Sequence, residues 1–425
     1  MHKFFAPFVF VKRHLDYVIA GMILFILFSV QEVWDNMIGD FKFDHLVFVV
    51  IILLLVIVCV ATRAEKKRFF QKWLRKNIWV ACFTVMLFVS ALLSTDLQNS
   101  LILLPRCLSG IFIVYIIAVG EFTYDNIRRM FGIVTLGMLV TFIYAIMQAI
   151  QGVAPNKAFT DMTVHGDLPG RIVAFFDNPN VYGFAVAALL PIAAAYTLGG
   201  KTRLRTILGI VSFVLGAAAL ILTYSRGAWL GFAMGAFFFA ALCKPKLIPV
   251  IILLGLIAFP FIPAHMKSRI LSAFNLTDSS VTDRGMLFEA GWNLIKSRPI
   301  FGAGLGLEPV RNIVLEHYWP PEFLYRFPHT HNLFLQIWCE MGIAGVITFF
   351  GMIIHAIARA VRSLKTQSKA MRMFVVGMIS GVVALVFCGV ADYPLSYSRI
   401  MLLFYILFGL LCAVKTGNND ELTNR

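Results

Sequence analysis

Long apolar stretches alternate with short polar segments along almost the whole chain. A helix that crosses a lipid bilayer needs about 20 predominantly apolar residues, and twelve stretches of roughly this length can be placed. They cover residues 15–33, 43–62, 78–95, 100–119, 130–150, 181–198, 206–223, 226–243, 247–264, 331–356, 373–391 and 400–415. The pattern predicts an all-α polytopic membrane protein with about twelve transmembrane helices.

The composition and the distribution of charge support this fold class. Apolar residues make up 60% of the 425 residues and charged residues 14%, which excludes an ordinary soluble globular protein. The formal net charge of +15 would suit a nucleic-acid-binding protein, but the basic residues gather in alternate segments, notably 63–76, 201–205 and 359–372. Cytoplasmic segments of membrane proteins carry such an excess. We therefore expect cytoplasmic N and C termini, membrane lipids as surroundings and no nucleic-acid partner.

The polar segments divide the chain into four parts. Residues 1–150 hold predicted spans one to five, and residues 151–264 hold spans six to nine together with an external loop at 151–180. Residues 265–330 form a large external loop, and residues 331–425 hold the last three spans. A loop as long as 265–330 usually carries function, and we expect short helices in it. One is amphipathic, covers 285–297 and has Asp283 as its predicted N-cap.

Two histidines mark the point where this large loop enters a span. His329 and His331 belong to the sequence Pro-His-Thr-His-Asn at 328–332. Imidazole is well suited to taking up a proton near neutral pH, so either histidine is a candidate general base, with His331 favoured. The alternative is that the segment only begins a helix, because Asn332 is a good N-cap.

Several arginines lie on the same predicted side of the membrane. Arg226 stands between two spans that have almost no connection, where it either binds an anion or extends to the membrane surface. Ser225 is a candidate cap for the helix that follows, whose N-terminal end would also attract an anion. Arg171 either holds an anionic group or supports the Asn-Pro-Asn turn at 178–180. Arg284 lies in the large loop.

Other polar positions leave alternatives open. Asp392 either orients a histidine or arginine or is a solvated loop acid. Arg106, inside a predicted span, is either functional or extends to the surface. The aromatic residues of 316–328 either form an interfacial belt or stack on sugars. The seven cysteines lie in or beside spans without CxxC spacing, and no segment has metal-ligand spacing, so we expect no metal and no cofactor.

Three short motifs resemble those of the O-antigen ligase and polymerase superfamily. His331-Asn332, nine residues, Gly342, two residues and Gly345 resemble its His-Asn-x9-Gly-x-x-Gly signature. The Ser-Arg-Gly at 225–227 resembles a second element between two spans. Asp-Arg at 283–284, with the glycine-rich turn at 299–306, resembles the start of its large periplasmic loop. The resemblance extends from about residue 171 to residue 350.

This resemblance implies a fold similar to the GT-C class and a glycosyltransferase of the bacterial cytoplasmic (inner) membrane, with its site on the periplasmic face. The donor would be a glycan linked to undecaprenyl pyrophosphate. A ligase would use a lipid-anchored acceptor similar to the lipid A core, whereas the runner-up, a repeat-unit polymerase, would extend another lipid-linked glycan. His331 would be the general base, and Arg226 and Arg284 would bind the pyrophosphate. The expected substrate-binding residues are Arg171, Ser225, His329, Asn332 and Asp392.

The expected chemistry is metal-independent and inverting, because a base and fixed guanidinium groups suffice for a one-step displacement of pyrophosphate. An alternative of another class is a lipid-linked oligosaccharide flippase or transporter. Such proteins need charged groups across the depth of the bilayer. The middle of the predicted spans is almost free of ionisable residues, with Glu340 as the main exception. The one-sided charge distribution therefore favours the enzyme.

Overall fold

The computed structural model describes residues 14–29, 37–38, 41–42, 75–120, 122–154, 170–200, 202–261, 263–271, 279–320, 327 and 329–414. Almost all of this is helical. The helices are α1 Leu15–Phe28, α2 Ile78–Leu92, α3 Leu97–Val119, α4 Tyr124–Gln151, α5 Pro179–Gly199, α6 Arg203–Leu222, α7 Arg226–Cys243, α8 Ile248–Ala258, α9 Ala264–Leu271, α10 Ser279–Ser297, α11 Leu307–His317, α12 Leu333–Ser363, α13 Lys369–Cys388 and α14 Ser398–Ala413. Two short strands, β1 Met37–Ile38 and β2 Phe41–Lys42, pair antiparallel.

Seven of the described helices are long and apolar enough to cross a membrane, as judged by length and composition: α3, α4, α5, α6, α7, α12 and α13. Helices α1, α2 and α14 are apolar but shorter. The chain is therefore a multi-pass helical membrane protein. The count of twelve spans and the four-part division stay predictions, because the predicted span at 43–62 lies outside the described residues.

The predicted span at 247–264 differs from the structure. Helix α8 has only 11 residues, and a 3₁₀ turn, Phe259–Phe261, follows it. Pro260 and Pro263 account for the early end, because proline lacks the N–H that would continue the helix. The apolar pattern continued across these prolines and so overestimated the length of the helix.

Helices α5 and α13 form the centre of the bundle, and most residues of both are buried. Small residues allow this close packing, as is usual between membrane helices. A Cβ on Gly377 of α13 would lie 2.6 Å from the Cβ of Ala195 in α5. On the other side of α13, a Cβ on Gly235 of α7 would lie 2.8 Å from the carbonyl oxygen of Ser380.

Polar residues fix the starts of several helices. The Asn178 side chain accepts a hydrogen bond from the N–H of Asn180 and caps α5, with Pro179 in the first turn, as the Asn-Pro-Asn sequence predicted. The predicted N-cap at Asp283 is wrong. Helix α10 begins at Ser279, so Asp283 lies inside the helix. The amphipathic pattern identified the part of the helix that has a buried face. Such a pattern does not determine the first residue of the helix.

Helix α12 is interrupted at Gly342, where φ is 66° and ψ is −173°. This positive φ is readily available only to glycine, and a Cβ at this position would overlap the carbonyl oxygen of Ile300. A Cβ on Gly345 would overlap the side chain of Met341. Both glycines of the His-Asn-x9-Gly-x-x-Gly pattern therefore have structural roles at the interruption.

The segment 298–306, called the glycine loop below, satisfies the backbone groups that the interruption exposes. The N–H of Ala303 donates to the carbonyl oxygen of Cys339 at 2.7 Å, and the N–H of Gly304 donates to that of Glu340 at 3.0 Å. Three glycines of this loop have positive φ: Gly302, Gly304 and Gly306. The glycine alternation is thus explained by a loop that packs into a broken helix.

We expect the substitution Gly342→Ala to destabilise the protein, because a strained non-glycine conformation costs about 1–3 kcal/mol and the steric overlap adds to this cost. The measurement is the thermal unfolding midpoint in detergent. The matched control is Gly21→Ala in α1, where a Cβ meets nothing within 4 Å. Equal midpoints for both variants would contradict the role assigned to Gly342.

Candidate functional site

The histidine predicted as general base is hydrogen bonded to a buried carboxylate. Nδ1 of His331 lies 2.9 Å from Oδ1 of Asp392, and Asp392 is 3% exposed. A carboxylate in its ionised form only accepts hydrogen bonds, so we assign the ring hydrogen to Nδ1. Within the described part of the chain, Nε2 has no hydrogen-bond partner. This nitrogen therefore has a lone pair that is available to a proton.

The geometry keeps Asp392 ionised. Burial by itself raises the pKa of a carboxyl group. Here the hydrogen bond and charge of His331, the nearby His329 and the N–H of Tyr393 outweigh that effect and lower the pKa of Asp392 to about 2. The contacts of Asp392 therefore agree with the alternative in which it orients a histidine. They do not agree with the alternative of a solvated loop acid.

Asn332 is the N-cap of α12, as predicted by the alternative in which this segment begins a helix. Its Oδ1 accepts from the N–H of Leu335 at 2.9 Å, and its Nδ2 donates to the carbonyl oxygen of Val390 at 3.0 Å. His331, immediately before the cap, has φ of 48°. The cap and the histidine–carboxylate pair are thus both present, and both join the start of α12 to the connection between α13 and α14.

His329 is placed differently from His331. Its Nδ1 accepts a hydrogen bond from the backbone N–H of His331 at 3.0 Å, and the two ring centroids are 4.0 Å apart. Burial is the main factor that lowers the pKa of His329, to about 4, with His331 and Arg284 acting in the same direction and Asp392 against them. The ring is neutral at pH 7, and its single lone pair is occupied by a backbone donor. This geometry favours His331 as the base.

The possible ligand atoms of His329, His331 and Asp392 lie within 4.8 Å of one another, a spacing compatible with a metal ion. The sequence did not reveal this cluster, because Asp392 is far away along the chain. The nitrogen of His329 that faces Asp392 is Nε2, at 3.8 Å. Because Nδ1 accepts the backbone hydrogen bond, a neutral ring carries its hydrogen on Nε2 and has no lone pair there. The arrangement therefore fits a hydrogen-bonded pair better than a metal site.

Three arginines lie near Arg171, and one of them, Arg284, also lies near His329. Arg171 is buried, and its Nε donates to the carbonyl oxygen of Thr223 at 2.7 Å. Its Nη2 donates to Oδ1 of Asn180 at 2.6 Å, so it also supports the Asn-Pro-Asn turn, as one of the two alternatives predicted. Burial, followed by the charges of Arg269, Arg226 and Arg284, lowers the pKa of Arg171 to about 9. The group is still charged at pH 7, and its neighbours are close enough to repel it. We call these four residues the arginine cluster.

Two members of the arginine cluster complete the geometry. Arg269, in α9, is buried, and its Nε donates to the carbonyl oxygen of Tyr224 at 3.4 Å. Sequence reasoning missed it, because a lone arginine in a short helix has no motif around it. The charge of Arg284 acts on both Arg171 and His329. Helix α10 therefore brings the cluster and the histidine pair into one site.

One other sequence expectation is corrected. Ser225 occupies the N-cap position of α7, but its side chain makes no capping hydrogen bond. For Arg106 the sequence left a functional role and extension to the surface open. In the structure its Nη2 donates to Oγ of Ser398 at 2.7 Å and to the carbonyl oxygen of Ser396 at 3.2 Å. Arg106 thus connects α3 to the start of α14.

The aromatic segment 316–328 is only partly described. Trp319 and Phe327 are buried and pack edge to face, with ring centroids 5.6 Å apart. These two rings belong to a small apolar core beneath α10 and α11, and not to a membrane belt or a sugar platform. Phe323, Tyr325 and Pro328 lie outside the described residues.

Comparisons with known proteins agree with the resemblance found in the sequence. Residues 211–350 match a family model described as "O-Antigen ligase". A "Putative polysaccharide ligase" of Rickettsia felis is 29% identical over 191 residues, which are 40% of this chain and 46% of the relative. Its counterpart in Rickettsia prowazekii is 25% identical over 323 residues, 70% of this chain and 73% of the relative. The match to the first of these relatives thus spans less than half of that protein's length.

Chemical modification can test the assigned hydrogen positions. Diethyl pyrocarbonate acylates a neutral ring nitrogen with an accessible lone pair, so we expect His331, 27% exposed at its side chain, to react at pH 7 while His329 is protected. Peptide mass spectrometry of the folded protein measures both. His317, with 54% of its side chain exposed, is the positive control, and faster modification of His329 than of His331 would contradict the assignment.

Proposed function

With the O-antigen ligase match at residues 211–350 as the premise, we propose that this multi-pass membrane protein is a glycan ligase. It transfers a glycan from undecaprenyl pyrophosphate to a lipid-anchored acceptor similar to the lipid A core. One observation carries the proposal: a histidine held by a buried carboxylate lies beside a cluster of four arginines.

The arginine cluster binds the pyrophosphate of the donor. Guanidinium groups remain charged and contact phosphate oxygens through two parallel N–H donors. The mutual repulsion that lowers the pKa of Arg171 is relieved when an anion enters between these charges. Arg226 is the first residue of α7, so the positive end of that helix also faces the anion.

The acceptor reacts through His331. Its Nε2 takes the proton of the acceptor hydroxyl, and the ionised Asp392 at 2.9 Å from Nδ1 stabilises the imidazolium that forms. The acceptor oxygen bonds to the anomeric carbon while the bond from that carbon to the phosphate oxygen breaks. Undecaprenyl pyrophosphate leaves with the electron pair and is stabilised by the arginines. A single displacement inverts the anomeric centre and uses neither metal nor cofactor.

One sequence feature and one structural feature support the orientation in the membrane. Basic residues concentrate in the segments 63–76, 201–205 and 359–372, which we assign to the cytoplasm. The histidine and arginine side chains lie at the opposite ends of the helices, so the site faces the periplasm. The N and C termini are then cytoplasmic, and the protein resides in the inner membrane.

A repeat-unit polymerase would use the same base and the same arginines, with a second lipid-linked glycan as acceptor. The names of the Rickettsia relatives favour the ligase. A flippase or transporter is less consistent with the site, because the arginine cluster and the histidine pair gather at one end of the described helices. The two enzymes differ in product, since a ligase consumes the donor once per acceptor whereas a polymerase builds a ladder of chains.

We expect His331→Gln to lower transfer at least about 100-fold, because a positioned general base contributes roughly 10²–10⁴-fold. The assay incubates purified protein with undecaprenyl-pyrophosphate-linked glycan and a lipid A core acceptor, and the products are separated on a gel. His317→Gln is the matched control, because His317 is exposed and has no assigned role, and it should retain most of the activity. Near-normal turnover by His331→Gln would refute the assignment of His331 as the base. A ladder of products formed without acceptor would refute the ligase assignment.

Arg226→Lys and Arg284→Lys should each weaken donor binding, since a single ammonium group cannot reproduce a two-pronged contact. We expect the apparent KM for the donor to rise about tenfold, which corresponds to a loss of about 1.4 kcal/mol. Arg128→Lys is the control, because Arg128 pairs with Asp125 at the opposite end of the bundle. Wild-type donor KM in both test variants would remove these arginines from the donor site.

A further inference from the structure

A cavity lies beside the histidine pair. It has a volume of about 420 Å³ and is enclosed mainly by α2, α3, α12 and α14, within the range of about 300–1,000 Å³ typical of ligand pockets. None of the lining residues belongs to α7, α9 or α10, which carry three of the four arginines of the cluster. The cavity is therefore separate from the proposed donor site.

The lining has a polar part and an apolar part. The polar part includes Asn99, Arg106 and Ser396, and the apolar part includes Phe349 and Met401. Along α12 the lining extends from Ile337 to Phe349, which is about 18 Å at 1.5 Å per residue. Half of the hydrocarbon core of a bilayer is about 15 Å thick. The cavity is therefore deep enough for the hydrocarbon chain of a lipid in one leaflet, with its head group at the polar part.

At one point the cavity is bounded by a residue that is exposed on the surface of α3. Ile102 lines it and is 53% exposed. The preceding residue, Leu101, is 44% exposed and does not line the cavity. A hydrocarbon chain can therefore enter sideways from the bilayer at Ile102, without passing through water.

Tyr393 links the cavity to the histidine pair. Tyr393 lines the cavity, and its ring centroid is 6.0 Å from that of His329. Tyr393 also follows Asp392, the residue that holds His331. A head group at the polar part would therefore be close to the proposed base, and it would approach from helices other than those of the arginine cluster.

We propose that this cavity holds the hydrocarbon chain of the acceptor lipid, so that acceptor and donor reach His331 from different sides of the bundle. The identification of the bound lipid as the acceptor rests on the proposed function. The presence of a lipid-chain site rests on the shape and lining of the cavity alone.

Photo-crosslinking tests the cavity without any transfer reaction. The probe is a long-chain alkyl glucoside with a diazirine at the end of its chain, added to purified protein in lipid nanodiscs. We expect adducts on the peptides that contain Phe349 and Met401. Ile102→Trp should block the opening and lower their yield about tenfold, equivalent to about 1.4 kcal/mol of binding free energy. Leu101→Trp, the adjacent exposed position, should leave the yield unchanged.

Adducts spread evenly over lipid-facing positions, or equal yields in the two tryptophan variants, would overturn the lipid site. Transfer kinetics then test whether the lipid is the acceptor. Ile102→Trp should raise the KM for the lipid A core acceptor and leave the KM for the donor unchanged. Cavity adducts together with an unaltered acceptor KM would overturn the acceptor assignment. Absence of transfer by the wild-type protein would refute the proposed function instead, because crosslinking does not depend on it.

Discussion

A helix that breaks inside a membrane must find partners for the backbone groups it exposes, because lipid offers no hydrogen bonds. Helix α12 breaks at Gly342, and the glycine loop provides those partners through the N–H groups of Ala303 and Gly304. This requirement fixes the glycine loop against α12. Since α10 ends just before the loop and α11 begins just after it, the break also fixes the position of Arg284 relative to the start of α12.

The same region is linked to the histidines through side chains. The N–H of Thr330, between the two histidines, donates to Oε1 of Gln336 at 2.9 Å, and Nε2 of Gln336 donates to Oε1 of Glu340 at 2.9 Å. Oε2 of Glu340 accepts from the N–H of Gly306 at 3.1 Å. Glu340, the exception in the hydropathy pattern, therefore has partners on both oxygens and connects the histidine segment to the glycine loop.

Features that depend on local physics could be predicted from the sequence. The apolar pattern located the helices because lipid and packing both exclude polar groups, and the cap at Asn332 follows from the chemistry of a single residue. The orienting role of Asp392 was one of two alternatives open in the sequence, but its choice of His331 and the position of Arg269 could not be predicted. Both arise when loops far apart in sequence meet at one end of a bundle, and this depends on how the helices pack. The break at Gly342 could not be predicted for the same reason. It depends on the glycine loop, which is distant in sequence and provides hydrogen-bond partners for the exposed backbone groups.

Opposite charges act on the two histidines. Arg284 opposes protonation of His329 and helps to keep that ring neutral. Asp392 is ionised because its pKa is low, and its Oδ1 lies 2.9 Å from Nδ1 of His331. In the proposed reaction the arginines would stabilise the leaving pyrophosphate, while Asp392 would stabilise the positive charge that proton transfer places on His331. The arginines and the carboxylate would thus act on different partners, which allows groups of opposite charge to serve one site.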